Sequence, residues 1–231
     1  MHEDHGVHGE ELSTEARIDF IHAQTTIAAT PLVPEVRLRL AAEAIELWER
    51  IEDSSGESDT PPPFWAFPWA GGQALARHVL DHDELVAGRR VLDLASGSGL
   101  VAIAAALAGA EEVVAVDIDR FAVAAIGMNA AINEVAVAAS VADVLHGDGL
   151  GAEVVLAGDV FYERAMAARM LPMLARARAR GALVLVGDPG RRYLPPGRFE
   201  SLAEYDVPVV AALEDMTIKR TTVWRMSADR D

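Results

Sequence analysis

Between residues 91 and 186, short runs of apolar residues alternate with longer stretches in which apolar positions recur at helical spacing. The runs cover about 91–94, 112–116, 137–142, 153–156 and 182–186, each long enough for a strand and too short for a helix. Residues 100–108, 121–132 and 165–179 between them have the pattern of helices, and Gly71-Gly72-Gln73 opens another through about Leu80. Strands apolar on both faces need cover on both faces. The pattern therefore predicts an α/β fold, a parallel sheet with helices on either side. A late extended run, Thr221-Thr222-Val223-Trp224-Arg225-Met226, adds a strand near the end.

The first quarter of the chain has a different texture. Residues 1–12 are polar and acidic and are expected to be disordered; His2, His5 and His8 recur there every third residue, for which a mobile tail is a plainer reading than a metal site. Ser13 is placed to cap a helix from Glu15 to about Ile27, which Pro31 and Pro34 end. Residues 36–40 alternate apolar and basic side chains as a half-buried strand, and 41–51 suit a second helix. Ser, Gly, Asp and three successive prolines make 52–63 a linker. The expected organisation is a tail over 1–12, an extension and linker over 13–63, and one catalytic domain over 64–231.

Composition narrows the function classes. With 36 Asp and Glu against 20 Lys and Arg, the formal charge of -16 opposes a phosphate backbone, so no nucleic-acid partner is expected. No uncharged apolar run reaches the ~18 residues of a membrane helix, since the run from Leu100 stops at Glu111 and Glu112. The acidic amino terminus is unlike a secretory or mitochondrial presequence; a cytoplasmic location without a membrane partner is expected. Cysteine is absent, which excludes disulfides and thiolate metal sites.

The candidate chemistry starts at Asp93-Leu94-Ala95-Ser96-Gly97-Ser98-Gly99, where a strand ends in a carboxylate and turns through glycines into an alanine-rich helix. Glycines let the backbone approach a ligand, and Asp117, closing the next strand 20 residues after Gly97, can accept from both hydroxyls of a ribose. Taken alone, Gly97-Ser98-Gly99-Leu100-Val101-Ala102 also matches the dinucleotide fingerprint. Asp93 argues against a pyrophosphate, which it would repel, and for a ligand carrying an ammonium. Asp93-x-Ala95-x-Gly97-x-Gly99 resembles motif I of class I S-adenosylmethionine-dependent methyltransferases, a resemblance that implies S-adenosylmethionine as cofactor.

A second constellation, Asp159-Val160-Phe161-Tyr162, follows the apolar strand near 154–157, at the sheet edge where open α/β folds bind ligands. In the methyltransferases just named this segment faces the transferred methyl, and a carboxylate there suits a substrate that arrives as a cation, such as lysine. A lysine amine of pKa ~10.4 must lose its proton before it attacks, and presenting it neutral at pH 7 costs ~4.6 kcal/mol. Asp159 can orient the ammonium and Tyr162 can aim the lone pair. The plainer alternative makes Asp159 the N-cap of the following helix and Tyr162 a packing residue. A third stretch, residues 62–77, carries Trp65 and Trp69, rings able to line a pocket for cofactor or lysine stem or to pack the core. Trp65 is expected to face the ligand.

Together, residues 34–40, PPFWAFPWAGGQALAR, motif I, Gly-Asp-Val-Phe-Tyr-Glu at 158–163, Val-Gly-Asp-Pro-Gly-Arg at 186–191 and the run at 221–226 resemble the lysine methyltransferases acting on the electron transfer flavoprotein beta subunit. The resemblance implies a seven-strand Rossmann-like sheet with a helix-and-strand extension at its amino end. It also implies that Asp93, Ala95, Gly97 and Gly99 surround the methionine part of the cofactor, with Ala95 standing where glycine is common. Asp117 would hold the ribose, Ile118 lie beside the adenine and Asp143 reach its amino group. Trp65 and Asp159 would adjoin the cofactor, and Trp69 and Tyr162 would line the lysine entrance. The implied substrate is the flavoprotein beta subunit, with a ribosomal stalk protein as a further one. A small-molecule amine methyltransferase, which should have a closed pocket at Tyr162, and a non-catalytic cofactor-binding module share these motifs.

Overall fold

The computed structural model describes residues 12–55, 62–209 and 217–227. His2, His5 and His8 of the expected tail, and residues 56–61 of the expected linker, lie outside them. Ser13 caps the first helix as expected, its Oγ accepting from Ala16 N at 3.1 Å, but α1 (Thr14–Gln24) stops short of Ile27. Thr25, Thr26 and Ile27 are β-branched and prefer extended backbone. β1 (Thr26–Ala29) accordingly pairs antiparallel with β2 (Arg37–Leu40). α2 (Ala44–Ser55) begins later than the pattern predicts and runs into the expected linker.

A 3-10 turn at Phe64–Ala66 leads into α3 (Ala70–Asp81), and the seven-strand sheet follows. Its strands are β3 (Arg90–Leu94), β4 (Glu112–Asp117), β5 (Ala138–Val141), β6 (Val154–Gly158), β7 (Leu183–Asp188), β8 (Phe199–Pro208) and β9 (Ile218–Met226). They lie in the order β5-β4-β3-β6-β7-β9-β8, the first five parallel, with β9 antiparallel to both β7 and β8. β8 is the strand the pattern hides, because its exposed and half-buried residues give no apolar run. At the other edge β5 is short and built of alanine, serine and valine.

Side chains along the central strands alternate between two apolar layers. Val154 and Leu156 pack with α3 and α4 (Leu100–Leu107), whereas Val155 and Ala157 pack with α6 (Arg164–Ala179) on the other face. Each fully buried Val or Leu contributes roughly 1.5–3 kcal/mol, so a one-residue slip of β6 would forfeit several such terms. A third apolar cluster ties the extension to the sheet domain: Ile21 of α1 and Leu47 and Ile51 of α2 meet Trp65 and Phe121, the latter in α5 (Arg120–Ile132). The strand order reverses between β3 and β6, which opens a crevice beyond their carboxyl ends. Motif I leaves β3 and Asp159 leaves β6 at that crevice.

Candidate active site

The loop after β3 is knit by carboxylates at both ends. Asp93 Oδ2 accepts from Ser96 Oγ at 2.5 Å and from Ala102 N at 3.1 Å. Asp117 Oδ2 accepts from Gly97 N at 2.9 Å, and its Oδ1 accepts from Asp119 N at 3.0 Å. Gly97 and Gly99 have φ of 56° and 82°, and a Cβ on Gly99 would press within 3.3 Å of Ile126 in α5. Ala95 takes φ 50° despite its Cβ. Motif I is thus held in a left-handed path, at some strain where the family pattern prefers glycine.

Charge in this loop departs from the simplest expectation. Asp93 is buried, and burial pushes its pKa up to about 7 against the opposing bonds from Ser96 and Ala102, with Asp117 adding repulsion. Asp93 therefore shapes the loop from beneath, engaged with the chain rather than displayed as a free anion. Burial raises Asp117 as well, opposed by its backbone hydrogen bonds. Ile118, directly after it, is 72% exposed, a large apolar side chain left open to solvent beside Asp117.

Asp143 follows β5, whose Val141 pairs with Asp117 at the end of β4. Its Oδ2 pairs with Arg169 of α6 and its Oδ1 accepts from Leu145 N at 3.2 Å. The Arg169 bond holds its pKa below the usual carboxylate range.

On the other side of the crevice, Asp159 sits at φ 55°, a left-handed conformation that aspartate tolerates better than most residues. Its Oδ2 accepts from Gly72 N at 3.0 Å, at the amino end of α3, and its Oδ1 accepts from Arg191 at 3.1 Å. A helix amino end and a guanidinium both favour a carboxylate. Burial pushes the Asp159 pKa up; the Arg191 charge and these hydrogen bonds oppose it. Asp159 does cap a helix, but α3 rather than the one that follows it, whose N-cap Glu163 makes no side-chain cap bond. Neither Arg191 nor the α3 amino end was identified as a site element from the sequence, although Gly71-Gly72 and Gly-Asp-Pro-Gly-Arg both carried the family resemblance.

The aromatic loop separates into an inner and an outer ring. Trp65, expected to face the ligand, is only 1% exposed and stacks on Phe121 with centroids 5.9 Å apart and an 8° interplanar angle. Its flanking apolar neighbours from α1, α2 and α5 draw it into the core. What it can still offer a ligand is the indole Nε1–H, which has no acceptor among the described residues. Trp69 stays half-buried with Nε1 donating to Phe64 O at 2.8 Å. Phe64 packs on Trp69 (5.7 Å) and on Tyr162 (5.5 Å), and Tyr162 is 42% exposed. Burial of the phenol, with Glu163 and Asp117 nearby, raises the Tyr162 pKa and keeps its hydroxyl protonated. Phe64 was not singled out from the sequence, and it is the ring that joins the loop to Tyr162.

Comparison with known proteins agrees with this geometry. The model of the ribosomal protein L11 methyltransferase (PrmA) family matches residues 74–166, from α3 through Tyr162. The magnesium protoporphyrin IX methyltransferase of Synechocystis PCC 6803, solved with bound SAH, shares the fold at a TM-score of 0.52 and 16% identity, over 80% of this chain and 95% of that one. Proteins named electron transfer flavoprotein beta subunit lysine methyltransferase align along nearly the whole length. That from Danio rerio is 37% identical over 92% of this chain and 84% of its own, and that from Homo sapiens is 33% identical over 89% and 80%. By this collinear identity the chain belongs to the electron transfer flavoprotein beta subunit lysine methyltransferase family.

Proposed function

We infer that the protein transfers a methyl group from S-adenosylmethionine to lysine side chains of the electron transfer flavoprotein beta subunit, the substrate its relatives are named for. The observation that carries this reading is the convergence, at one crevice, of the glycine loop with Asp117 on one wall and Asp159 with Tyr162 on the other. The residues fit the cofactor: Gly97 and Gly99 leave its methionine part backbone to lie against, Asp117 suits the ribose, and exposed Ile118 suits the adenine. The unsatisfied Trp65 Nε1–H is a donor in reserve. When bound, the sulfonium supplies an electrophilic methyl that an aligned neutral amine takes by in-line displacement.

Phe64, Trp69 and Tyr162 give the lysine stem an aromatic rim, where cation–π attraction also favours the arriving ammonium. Asp159, with a lone pair left beyond its bonds from Gly71, Gly72 and Arg191, orients that ammonium. The Tyr162 hydroxyl accepts from an amine N–H and so aims the lone pair; the displaced proton leaves toward water past the open rim. Exposure of Phe64 and Tyr162 favours a lysine on a protein surface over a small amine, which would call for an enclosed pocket. The L11 methyltransferase family model matches residues 74–166, a stretch that supports the cofactor side more than a ribosomal substrate. The setting proposed is the cytoplasm; no helix among the described residues is long and apolar enough to cross a membrane.

The test uses radiolabelled S-adenosylmethionine with purified flavoprotein beta subunit. Label is expected on lysine with the wild-type protein and is expected to be lost with Asp159→Asn while cofactor binding persists. Unlabelled beta subunit under wild-type enzyme that binds S-adenosylmethionine would overturn the substrate assignment.

A further inference from the structure

β6 and β7 pair in register at Gly158↔Gly187, so the next residue of each strand, Asp159 and Asp188, brings a second carboxylate beside the first. Both are desolvated: the Asp159 side chain is 11% exposed and Asp188 is 0% exposed. Asp188 spends one oxygen on its own turn, Oδ1 accepting from Gly190 N at 2.7 Å and Arg191 N at 2.6 Å. Its other oxygen, Oδ2, is buried with no hydrogen-bond partner among the described residues. That turn, with Pro189 restricting the backbone and Gly190 at φ 83°, is what sends the Arg191 side chain back to Asp159. The Arg191 side chain is itself only 21% exposed, so the pair is no exposed surface bridge with its attraction screened away.

We propose that Arg191 is a positioning residue that holds the Asp159 carboxylate in the orientation and the charged form the incoming lysine meets. The proposal rests on the reading of Asp159 as the group that receives the substrate ammonium. The charged groups facing Asp159 are Asp188 from β7 and Arg191 from the loop after it; α3 contributes only the N–H groups of its amino end. Two adjacent buried carboxylates do not both ionise readily, and a single positive charge between them changes that. The Arg191 charge and hydrogen bond draw the Asp159 pKa back down against burial, while burial, with the Asp159 charge adding to it, pushes Asp188 up to about 6. Without Arg191, a proton shared by the two carboxylates would leave Asp159 without the full negative charge that draws an ammonium at neutral pH.

Losing Arg191 raises the pKa of Asp159, so activity that needs its charged form is reduced at neutral pH and returns as pH rises through the new value. Methyl transfer to the flavoprotein beta subunit should be followed from pH 6.5 to 9.5 for wild type, Arg191→Met, Arg191→Lys and the double variant Arg191→Met/Asp188→Asn. Taking the ratio to wild type at each pH cancels the substrate's own deprotonation. For Arg191→Met, kcat/KM is expected to fall about tenfold or more at pH 7, with the ratio closing by pH 9.5, each unit of pKa being worth a factor of ten. Arg191→Lys, a point charge in place of a fork, should recover most of the loss. The double variant should recover part of it, because removing the second carboxylate removes the repulsion that Arg191 offsets. S-adenosylhomocysteine binding, measured by calorimetry, should stay within about twofold of wild type in all three.

A pH-independent loss in Arg191→Met, with no rescue by either companion variant, would mean that Arg191 merely braces the loop, and would overturn the proposal. So would an unchanged pH profile. Failure of the underlying reading looks different: Asp159→Asn would then turn over like wild type, whatever Arg191→Met does.

Discussion

Gly71 and Gly187 meet backbone to backbone, so closely that a Cβ on Gly71 would lie 2.2 Å from Gly187 O and one on Gly187 would lie 2.0 Å from Gly71 O. The same Gly71 Cβ would sit 2.6 Å from Asp159 Oδ2. The amino end of α3 is therefore seated directly on the ends of β6 and β7, and the site carboxylate hangs from that seat.

Gly71→Ala and Gly187→Ala are expected to destabilise the fold by about 3 kcal/mol or more, because the clash is with backbone that cannot swing aside. Urea unfolding monitored by circular dichroism measures this. In any Gly71→Ala protein that still folds, turnover should fall more than cofactor affinity, since the displaced group is on the Asp159 wall.

How much of this was legible beforehand depends on the range over which each contact acts. Gly97 and Asp117 are 20 residues apart and lie in one strand-helix-strand unit, so glycine spacing and a terminal carboxylate suffice to pair them. Gly72 and Asp159 are 87 residues apart and Arg191 and Asp159 are 32 apart; which groups meet depends on how α3 and β7 seat against β6, which no local pattern encodes. The two tryptophans illustrate another limit. Trp65 and Trp69 are equally apolar in sequence, and only the cluster supplied by α1, α2 and α5 draws one inward. β1 was missed because Thr26-Ile27-Ala28-Ala29 shows no alternation, and its pairing with β2 makes it a strand.

Ala95 pays for its left-handed φ of 50° with steric strain of about 1–2 kcal/mol, which glycine would relieve. Glycine also adds freedom to the unfolded chain, an opposing loss of roughly 0.4–1 kcal/mol. Ala95→Gly should therefore be stabilising by roughly 0.5–1 kcal/mol net, read as an increase in the urea midpoint, with S-adenosylhomocysteine affinity retained. A lowered midpoint would mean that the Ala95 methyl makes packing contacts worth more than the strain.

Asp117 accepts from Gly97 N and Asp119 N and is the residue proposed to hold the ribose. Asp117→Ala removes a charged acceptor and unties the glycine loop, so S-adenosylhomocysteine affinity should drop tenfold or more by calorimetry, at ~1.5–3 kcal/mol per charge-assisted bond lost. Asp117→Asn keeps one acceptor oxygen and should lie between. Wild-type affinity in both would remove Asp117 from the cofactor site.

Tyr162→Phe keeps the ring that packs on Phe64 and deletes only the hydroxyl. If the hydroxyl aims the amine, kcat should fall by about tenfold or more while KM for the protein substrate and affinity for the cofactor change little. An unchanged kcat would leave Tyr162 as a wall of the rim.

Stability should decline as pH rises from about 5.5 to 8. Burial raises three carboxyl pKa values into or near this window: Asp93 to about 7, with Asp119 and Asp188 each to about 6. A group whose folded pKa lies above its unfolded value of ~3.9 contributes stability that is complete below that value and is lost as pH climbs through the folded one. For Asp93 the full swing is on the order of 4 kcal/mol. His78 works in the opposite sense, since burial lowers its pKa and makes the fold lose stability as pH falls below ~6.5, but it is one group against three. The net charge of -16 adds self-repulsion on the alkaline side. Melting temperature measured at constant ionic strength should therefore be higher at pH 5.5 than at pH 8. Asp93→Asn should flatten the slope, because an amide oxygen can still accept from Ser96 and Ala102 without ever taking a charge. A melting temperature that rises toward pH 8 in the wild type would show that these buried carboxyls titrate as ordinary surface groups.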